Sequence, residues 1–515
     1  MADHLGLDQQ HQRSADRHPR RAHPRQSPNR RAGRGAHRNR RAHPDAGRGH
    51  HRQRRAAMKT RLSPSATRHA RRGSALIIVL WVSLGLVALA LSYAGAMRFE
   101  MRAADNRLAA AQAQLALEGA TRYASNQLAL LTTPGRIEFP YEVLVEDVPV
   151  GEARFWFIGR TNDVLIPEEP VFGFVDEAGK INLNTATVEM LEWLPGMTAE
   201  RAAAIVDWRD ADSTPGDGGA EDEVYQRLPA PYRCKNAPFE SVDELRLVYG
   251  MTMDLLYGED ANLNGALDPN ENDGDTTAPL DDRSSTLDPG LLEYVTVWSC
   301  EPVAGRTNVN NQQALAIVLQ DELGTQRANQ ILALLGVGGG GGPGGGPTPF
   351  NNLIEFFLRS GMTREEFDLV ADQLVATTNT TGYLTGLINI NTASEAVLAC
   401  IPGIGVNLAP SVAAYRRANA GNLRSVAWLV EALGDNEAAR LAGPYVTTQS
   451  YQVAADLAAT GRHGRGYQRA RFIFDLADGA PRIVWRQDLT HLGWALGKTA
   501  FLNRELPREQ RLTLR

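Results

Sequence analysis

Twenty-four residues from Ser74 to Met97 carry no charge, and they follow Arg71-Arg72-Gly73 directly. As a helix rising about 1.5 Å per residue, such a run covers about 36 Å, more than a hydrocarbon core about 30 Å thick. A secretory signal has a shorter apolar region with its small-residue cleavage site after it. Here the glycine stands before the apolar run, so a cut between Gly73 and Ser74 would leave a chain that begins with its own membrane anchor. The positive charge ahead of the run keeps that side cytoplasmic and sends the remainder outward.

Charge divides the chain into two opposite parts. Residues 1–72 hold twenty Lys and Arg against four Asp and Glu, with nine of the eleven His; the remainder holds 34 basic against 55 acidic residues. The basic head has hardly an apolar side chain and cannot bury a core, so 1–73 reads as a disordered leader. Met58-Lys59 would start a leader of ordinary length, which makes 1–57 a candidate mis-assigned gene start. The acidic remainder argues against a surface that wraps nucleic acid, and it fits a soluble extracytoplasmic body or a cation binder. Three cysteines, Cys234, Cys300 and Cys400, are an odd number; Cys234–Cys300 is one conceivable pair, and spacing assigns none.

Beyond the anchor, the helical pattern continues without proline to Leu131, before Pro134-Gly135. One helix is therefore expected over 74–131, its second half amphipathic and packed on a globular body. Short aromatic and β-branched runs at Tyr141–Val145 and Ala153–Ile158 read as strands, in a first sheet segment over 132–180. Similar runs return at Ser450–Ala455, Arg469–Leu476 and Arg482–Gln487, within a second sheet segment and tail over 441–515. The sheet is thus expected in two halves around an insertion, 181–440.

That insertion repeats itself. Ile181-Asn182-Leu183-Asn184-Thr185-Ala186 recurs 207 residues later as Ile388-Asn389-Ile390-Asn391-Thr392-Ala393. At the same offset Leu194-Pro195-Gly196-Met197 matches Ile401-Pro402-Gly403-Ile404, and Trp208-Arg209 matches Tyr415-Arg416. A third copy begins at Thr307-Asn308-Val309-Asn310-Asn311 but lacks the Pro-Gly turn. Each of the three units reads as a capped helix, a tight turn and a second helix. Val337–Pro349, nearly all Gly and Pro, reads as a linker.

The sharpest chemical motif is Asp260-x-Asn262-x-Asn264-Gly265-x-Leu267-Asp268-x-x-Glu271, the spacing of an EF-hand calcium loop. Asp260, Asn262, Asn264 and Asp268 would turn oxygens onto one hard cation, and Ala266 would offer its carbonyl. Gly265 allows the bend, and Glu271 closes the shell with two oxygens. With three charged ligands and no exiting helix, this is a single calcium-stapled loop of modest affinity. A second acidic cluster, Asp210, Asp212, Asp217, Glu221, Asp222 and Glu223, follows no such template, and Asp281, Asp282 and Asp288 are a degenerate echo of the loop. No catalytic triad, phosphate-cradling glycine loop or zinc spacing is present, and His463 and His491 read as surface residues, so no enzyme is expected.

The Gly73/Ser74 junction resembles that of type IV prepilins and pseudopilins, whose peptidase cuts after a glycine and methylates the new terminus. Most members carry Glu at the fifth mature position; here it is Ile78. With that departure, the split sheet and the Asn-Thr-Ala repeats, the chain resembles the minor pseudopilin family of type II secretion, general secretion pathway protein K, over nearly all of its length after residue 58. The resemblance implies an α+β fold: a long transmembrane and amphipathic helix on a pilin-like antiparallel sheet, with a large, mostly α-helical insertion containing helix-hairpin-helix-like repeats. It also implies a non-catalytic subunit capping the pseudopilus tip, single-pass in the bacterial inner membrane with its bulk periplasmic. The implied partners are the I and J type minor pseudopilins, the major pseudopilin, prepilin peptidase and secreted protein substrates, but not nucleic acid. It further favours Asp212 and Glu221 as ligands of a second calcium. The rival is a membrane-anchored DNA-binding protein of an uptake pilus, since Pro402-Gly403-Ile404-Gly405 has a helix-hairpin-helix signature and 388–433 also resembles a competence-protein repeat.

Overall fold

A computed structural model describes residues 74–130, 135, 145–161, 169–274, 276–279, 281, 283–336, 349–378, 382–498 and 500. The leader with Gly73, the run 141–144, the linker residues 337–348, Asp282 and the tail beyond 500 lie outside the described residues. The chain divides into two units, Met1–Trp81 and Val82–Arg515. Of the first, only 74–81 is described, the apolar start of helix α1 (Ser74–Ala129). This helix holds the one stretch among the described residues that is long and apolar enough to cross a membrane, with a mean hydropathy of 2.6.

The later part of α1 lies against a sheet. Ala109, Ala113, Ala116, Leu117, Ala120, Ala124 and Leu128 recur at spacings of three, four and one, one buried stripe of a 3.6-residue period. Small residues dominate the stripe, and the backbones approach closely. A Cβ on Gly461 would lie 2.1 Å from the Ala109 carbonyl oxygen, and one on Gly466, at φ +68°, would lie 2.4 Å from the Ala109 carbonyl carbon. Only glycine fits at either position.

The sheet is antiparallel. Strands β1 (Val148–Val150) and β2 (Ala153–Ile158) form a hairpin, β2 pairs with Gln452–Thr460, and this strand leads through Gln468–Asp475 to the edge strand Arg482–Asp488. A two-residue strand β3 (Val175–Asp176) also pairs with 452–460. The 452–460 strand is buried at all nine positions, because both of its faces are covered. On one face Phe155, Phe157, Val453, Leu457, Phe472 and Phe474 meet the alanines of α1. On the other, Trp156, Ile158 and Ala458 meet Ala495 and Leu496.

Between the two halves of the sheet the chain runs through three similar units. Each opens and closes on a two-residue parallel pair: Ile181–Asn182 with Val295–Thr296, Thr307–Asn308 with Leu374–Val375, and Ile388–Asn389 with Val446–Thr447. The third unit therefore runs to Thr447 rather than stopping at 440. Within each pair lie short helices: 188–192, 199–209, 222–225 and 253–257 with the 3-10 turn 242–247 in the first unit, 312–323, 325–334, 353–360 and 364–370 in the second, and 395–399, 405–418, 427–433 and 436–442 in the third, the first two of each unit packing on each other. The middle unit keeps its turn without Pro-Gly, because Gly324, at φ +78°, ends one helix and begins the next.

The repeated asparagines explain why these units look alike. The first of each pair accepts from the amide of the second: Asn182 from Asn184, Asn308 from Asn310, Asn389 from Asn391. The second then reaches the later part of its unit, where Asn184 bonds both backbone groups of Phe239, Asn310 those of Phe350, and Asn391 the Leu423 carbonyl and the Trp428 indole. Arg209 donates to the carbonyls of Leu183 and Ala186, and Arg416, 207 positions later, donates to those of Ile390 and Ala393. All three cysteines are free thiols, so Cys234 and Cys300 are not joined.

Asn391→Ala would strand the Trp428 Nε1–H, at a cost of about 1–3 kcal/mol for one buried unpaired donor. We expect a lower melting temperature for this variant, by roughly 2 °C or more, in thermal scans of the detergent-solubilised chain.

Candidate metal centre

The loop after the helical turn Met253–Tyr257 is closed at its base, where Glu259 N donates to Asp288 O at 2.7 Å. Inside it Asp260, Asn264, Ala266 and Glu271 are almost wholly buried, at 1 % exposure or less. Asp260 Oδ1 and Oδ2 accept from the amides of Asn264 and Gly265 at 2.9 and 2.8 Å. Gly265 sits at φ +71°, and a Cβ there would come within 2.9 Å of Arg160 Cδ. Asn262 Nδ2 and Asn264 Nδ2 both donate to Asp268 Oδ2, at 2.7 and 3.1 Å. Glu271 Oε1 and Oε2 accept from the amides of Ala261 and Asp268, at 3.1 and 2.9 Å. The six residues of the spacing motif are thus drawn into one knot that ends in the 3-10 turn Pro269–Glu271, with no exiting helix among the described residues.

The charges of that knot are not balanced from within. Burial pushes the Glu271 carboxyl up to about 8, with Asp260 and Asp268 adding repulsion. Burial also raises Asp260, against the pull of Arg160. Asn262 Oδ1 is buried with no hydrogen-bond partner. A hard cation would relieve both the repulsion and the orphaned oxygen, and carboxylate, amide and carbonyl oxygens are the donor set such a cation takes. The residues present therefore fit calcium.

The second cluster also converges, in part. Ligand oxygens of Asp210, Asp212 and Glu221 lie within 4.8 Å of one another. Both Glu221 oxygens and Asp210 Oδ1 are buried without a hydrogen-bond partner. Burial raises the Glu221 carboxyl, with Asp207 and Asp210 adding, against smaller opposing contributions from Asn236 and Cys234. Asp207 stands beside them, accepting from the Gly216 amide at 3.1 Å, and a Cβ on Gly219 would fall 1.9 Å from its Oδ2. The Pro-Gly-Asp-Gly-Gly stretch is thus shaped around Asp207, which sequence reasoning passed over. Asp222 instead accepts from the Cys234 amide, and Glu223 pairs with Arg227. Asp281 knots the amides of Asp273, Gly274 and Arg283, and Asp288 accepts from the Gly290 amide.

The turn with the helix-hairpin-helix signature is occupied by its own protein. A Cβ on Gly403, at φ +86°, would lie 2.2 Å from Ala438 O, so this glycine serves close packing on the helix 436–442. Arg416 is buried in its own repeat, and Arg424 pairs with Asp372 at 3.7 Å. Of Arg416, Arg417 and Arg424, the arginines near this turn that could meet phosphate, the first and last are thus already engaged.

Residues 188–257 match the family model "Type II secretion system (T2SS), protein K", and 385–443 match "Helix-hairpin-helix motif". The type II secretion system protein K of Pectobacterium carotovorum subsp. carotovorum is 53% identical over 53 residues, 10% of this chain and 16% of that protein. That of Klebsiella pneumoniae is 42% identical over 67 residues, 13% of this chain and 21% of that protein. The aligned segments thus span about a sixth and a fifth of these relatives. One chain of the GspK-GspI-GspJ complex of the enterotoxigenic Escherichia coli type 2 secretion system is similar over 78% of this chain and 98% of its own length, at 12% identity and a TM-score of 0.36. The segment 188–257, which includes Asp210, Asp212 and Glu221, is where this chain is similar to the type II secretion system protein K model.

Calcium is expected to raise the melting temperature of the chain lacking residues 1–97, and Asp260→Ala to reduce that rise, both read by scanning calorimetry. Without calcium, the share of stability governed by Glu271 is fully present below about pH 4.5, the ordinary value, and is lost as pH rises through about 8. Melting temperatures taken across this window in chelator should fall, and calcium should flatten the slope.

Proposed function

We propose that this chain is a non-catalytic structural subunit of a type II secretion pseudopilus, seated at its tip. The observation that carries this reading is the protein K family segment at 188–257, lying inside a helical insertion that interrupts a helix-on-sheet fold. The apolar start of α1 would anchor the chain in the inner membrane, with the bulk in the periplasm. Prepilin peptidase would cut after Gly73 and methylate Ser74.

The tip position follows from two physical limits. The insertion, three helical units long, is too bulky to repeat along a closely packed shaft. A carboxylate in lipid is retained only where it has a partner, and Ile78 offers none to a neighbour above. Such a subunit starts the fibre with the I and J type minor pseudopilins, is followed by the major pseudopilin, and meets the secreted protein substrates first. Calcium, held by Asp260, Asn262, Asn264, Ala266, Asp268 and Glu271 and, in the second cluster, by Asp210, Asp212 and Glu221, would supply the positive charge these buried oxygens lack. Asp212 and Glu221 are the second-site ligands expected from sequence; Asp210 joins them by position.

The match of 385–443 to a helix-hairpin-helix model favours a second reading, a DNA-binding subunit of an uptake pilus. The engaged Gly403 and Arg416 weigh against it.

Gly73→Ala should leave the chain unprocessed in cells carrying the peptidase, seen as a slower band on immunoblots, and a normally processed product would overturn the prepilin reading. Gold labelling of sheared pseudopili should find this chain at one end only. Labels distributed along the shaft would refute the tip assignment, and salt-dependent retention of duplex DNA by the chain would favour the second reading.

A further inference from the structure

The loop 260–271 does not stand free of the sheet. Arg469, on the strand Gln468–Asp475, is wholly buried, and its Nε and Nη2 donate to the Asp456 carboxylate at 2.8 and 2.7 Å. Its remaining reach goes into the loop: Nη1 donates to the Asn262 carbonyl, and Nη2 to the Leu263 carbonyl at 2.7 Å. Arg160, just after β2, donates from Nη2 to the same Leu263 carbonyl at 2.9 Å and from Nε to Glu293 at 2.9 Å, beside the loop's closing end. Asn262 Nδ2 donates to the Trp494 carbonyl at 3.3 Å, in the segment that covers the sheet's second face. The carbonyls that meet the two arginines belong to the ligand residue Asn262 and its neighbour Leu263. Leu263 is held at φ +53°, between two ligand positions, so the loop's fold sets where these carbonyls point.

We infer that cation binding at 260–271 is read by the sheet: the folded loop completes the hydrogen bonding of Arg469 and Arg160, so calcium locks the helical insertion onto the strands 452–460 and 468–475. This rests on the calcium reading above and goes beyond it, since a calcium staple confined to its own loop would leave the sheet indifferent. Without the cation the loop loosens, the arginines lose their carbonyl partners, and the buried Asp456–Arg469 pair draws in water.

The test is amide hydrogen exchange on the full chain in detergent, in calcium chloride and in chelator, beside calorimetric titration with calcium alone. Calcium should bind, and chelation should speed exchange of amides in 452–475 by about tenfold or more, the signature of a sub-global opening that includes the sheet. Asp260→Asn should exchange at the chelated rate in either condition. Binding accompanied by a change confined to 259–293, or by no change anywhere, would overturn the coupling and leave the calcium reading intact. A sheet that still responds to calcium in Asp260→Asn would assign the effect to the Asp210 cluster and overturn the proposal. Absence of binding would overturn both readings.

Discussion

The buried ion pair between Asp456 and Arg469 is the constraint on which the two halves of this molecule meet. Burial alone would push the Asp456 carboxyl up, but Arg469, with Arg471 and Arg160, holds it down to about 2. A charged pair inside a protein is tolerated only when its leftover donors are satisfied. Here they are satisfied by main-chain carbonyls from a loop some two hundred residues earlier in sequence. Each donor left stranded would cost about 1–3 kcal/mol, so sheet and insertion are held to one another by polar bonds as well as by apolar contact.

The same logic runs through the insertion, where side chains bond backbone in place of regular secondary structure. Its parallel pairs are only two residues long, too short to hold an edge unaided. The paired asparagines and the repeated arginine supply what these ladders lack. Asp176 extends the device to the sheet, taking Ala178 N on one oxygen and the side chains of Asn389, Thr392 and Ser450 on the other. It lies on β3 and so ties the third unit to the central strand by a carboxylate bonded to neutral donors.

What could be read in the sequence was what local spacing encodes. The Asn-x-Asn repeat, the alternation of the strands and the calcium-loop spacing each place functional groups within a few residues of one another, and each yields a definite geometry. The later part of every unit was not legible, because Phe239, Phe350 and Leu423 share little beyond the backbone groups that the asparagines grasp. Arg160, Asp456 and Arg469 left only a faint trace, charged residues within strands or just beyond their ends. Asp207 was hidden for a similar reason, since its partners are amides of a glycine stretch that reads as plain loop. The turn of the middle unit carries no Pro-Gly mark in its sequence, because a lone glycine able to adopt positive φ, Gly324, does the same work.

Ala109 is pinched between Gly461 and Gly466, with no side chain on either glycine to act as a cushion. A helix seated this tightly has neither room to rotate nor a smooth surface to slide along. A push or twist applied to the helix where it lies on the sheet would pass into the strands with little slack, as torque passes from a keyed shaft to its hub.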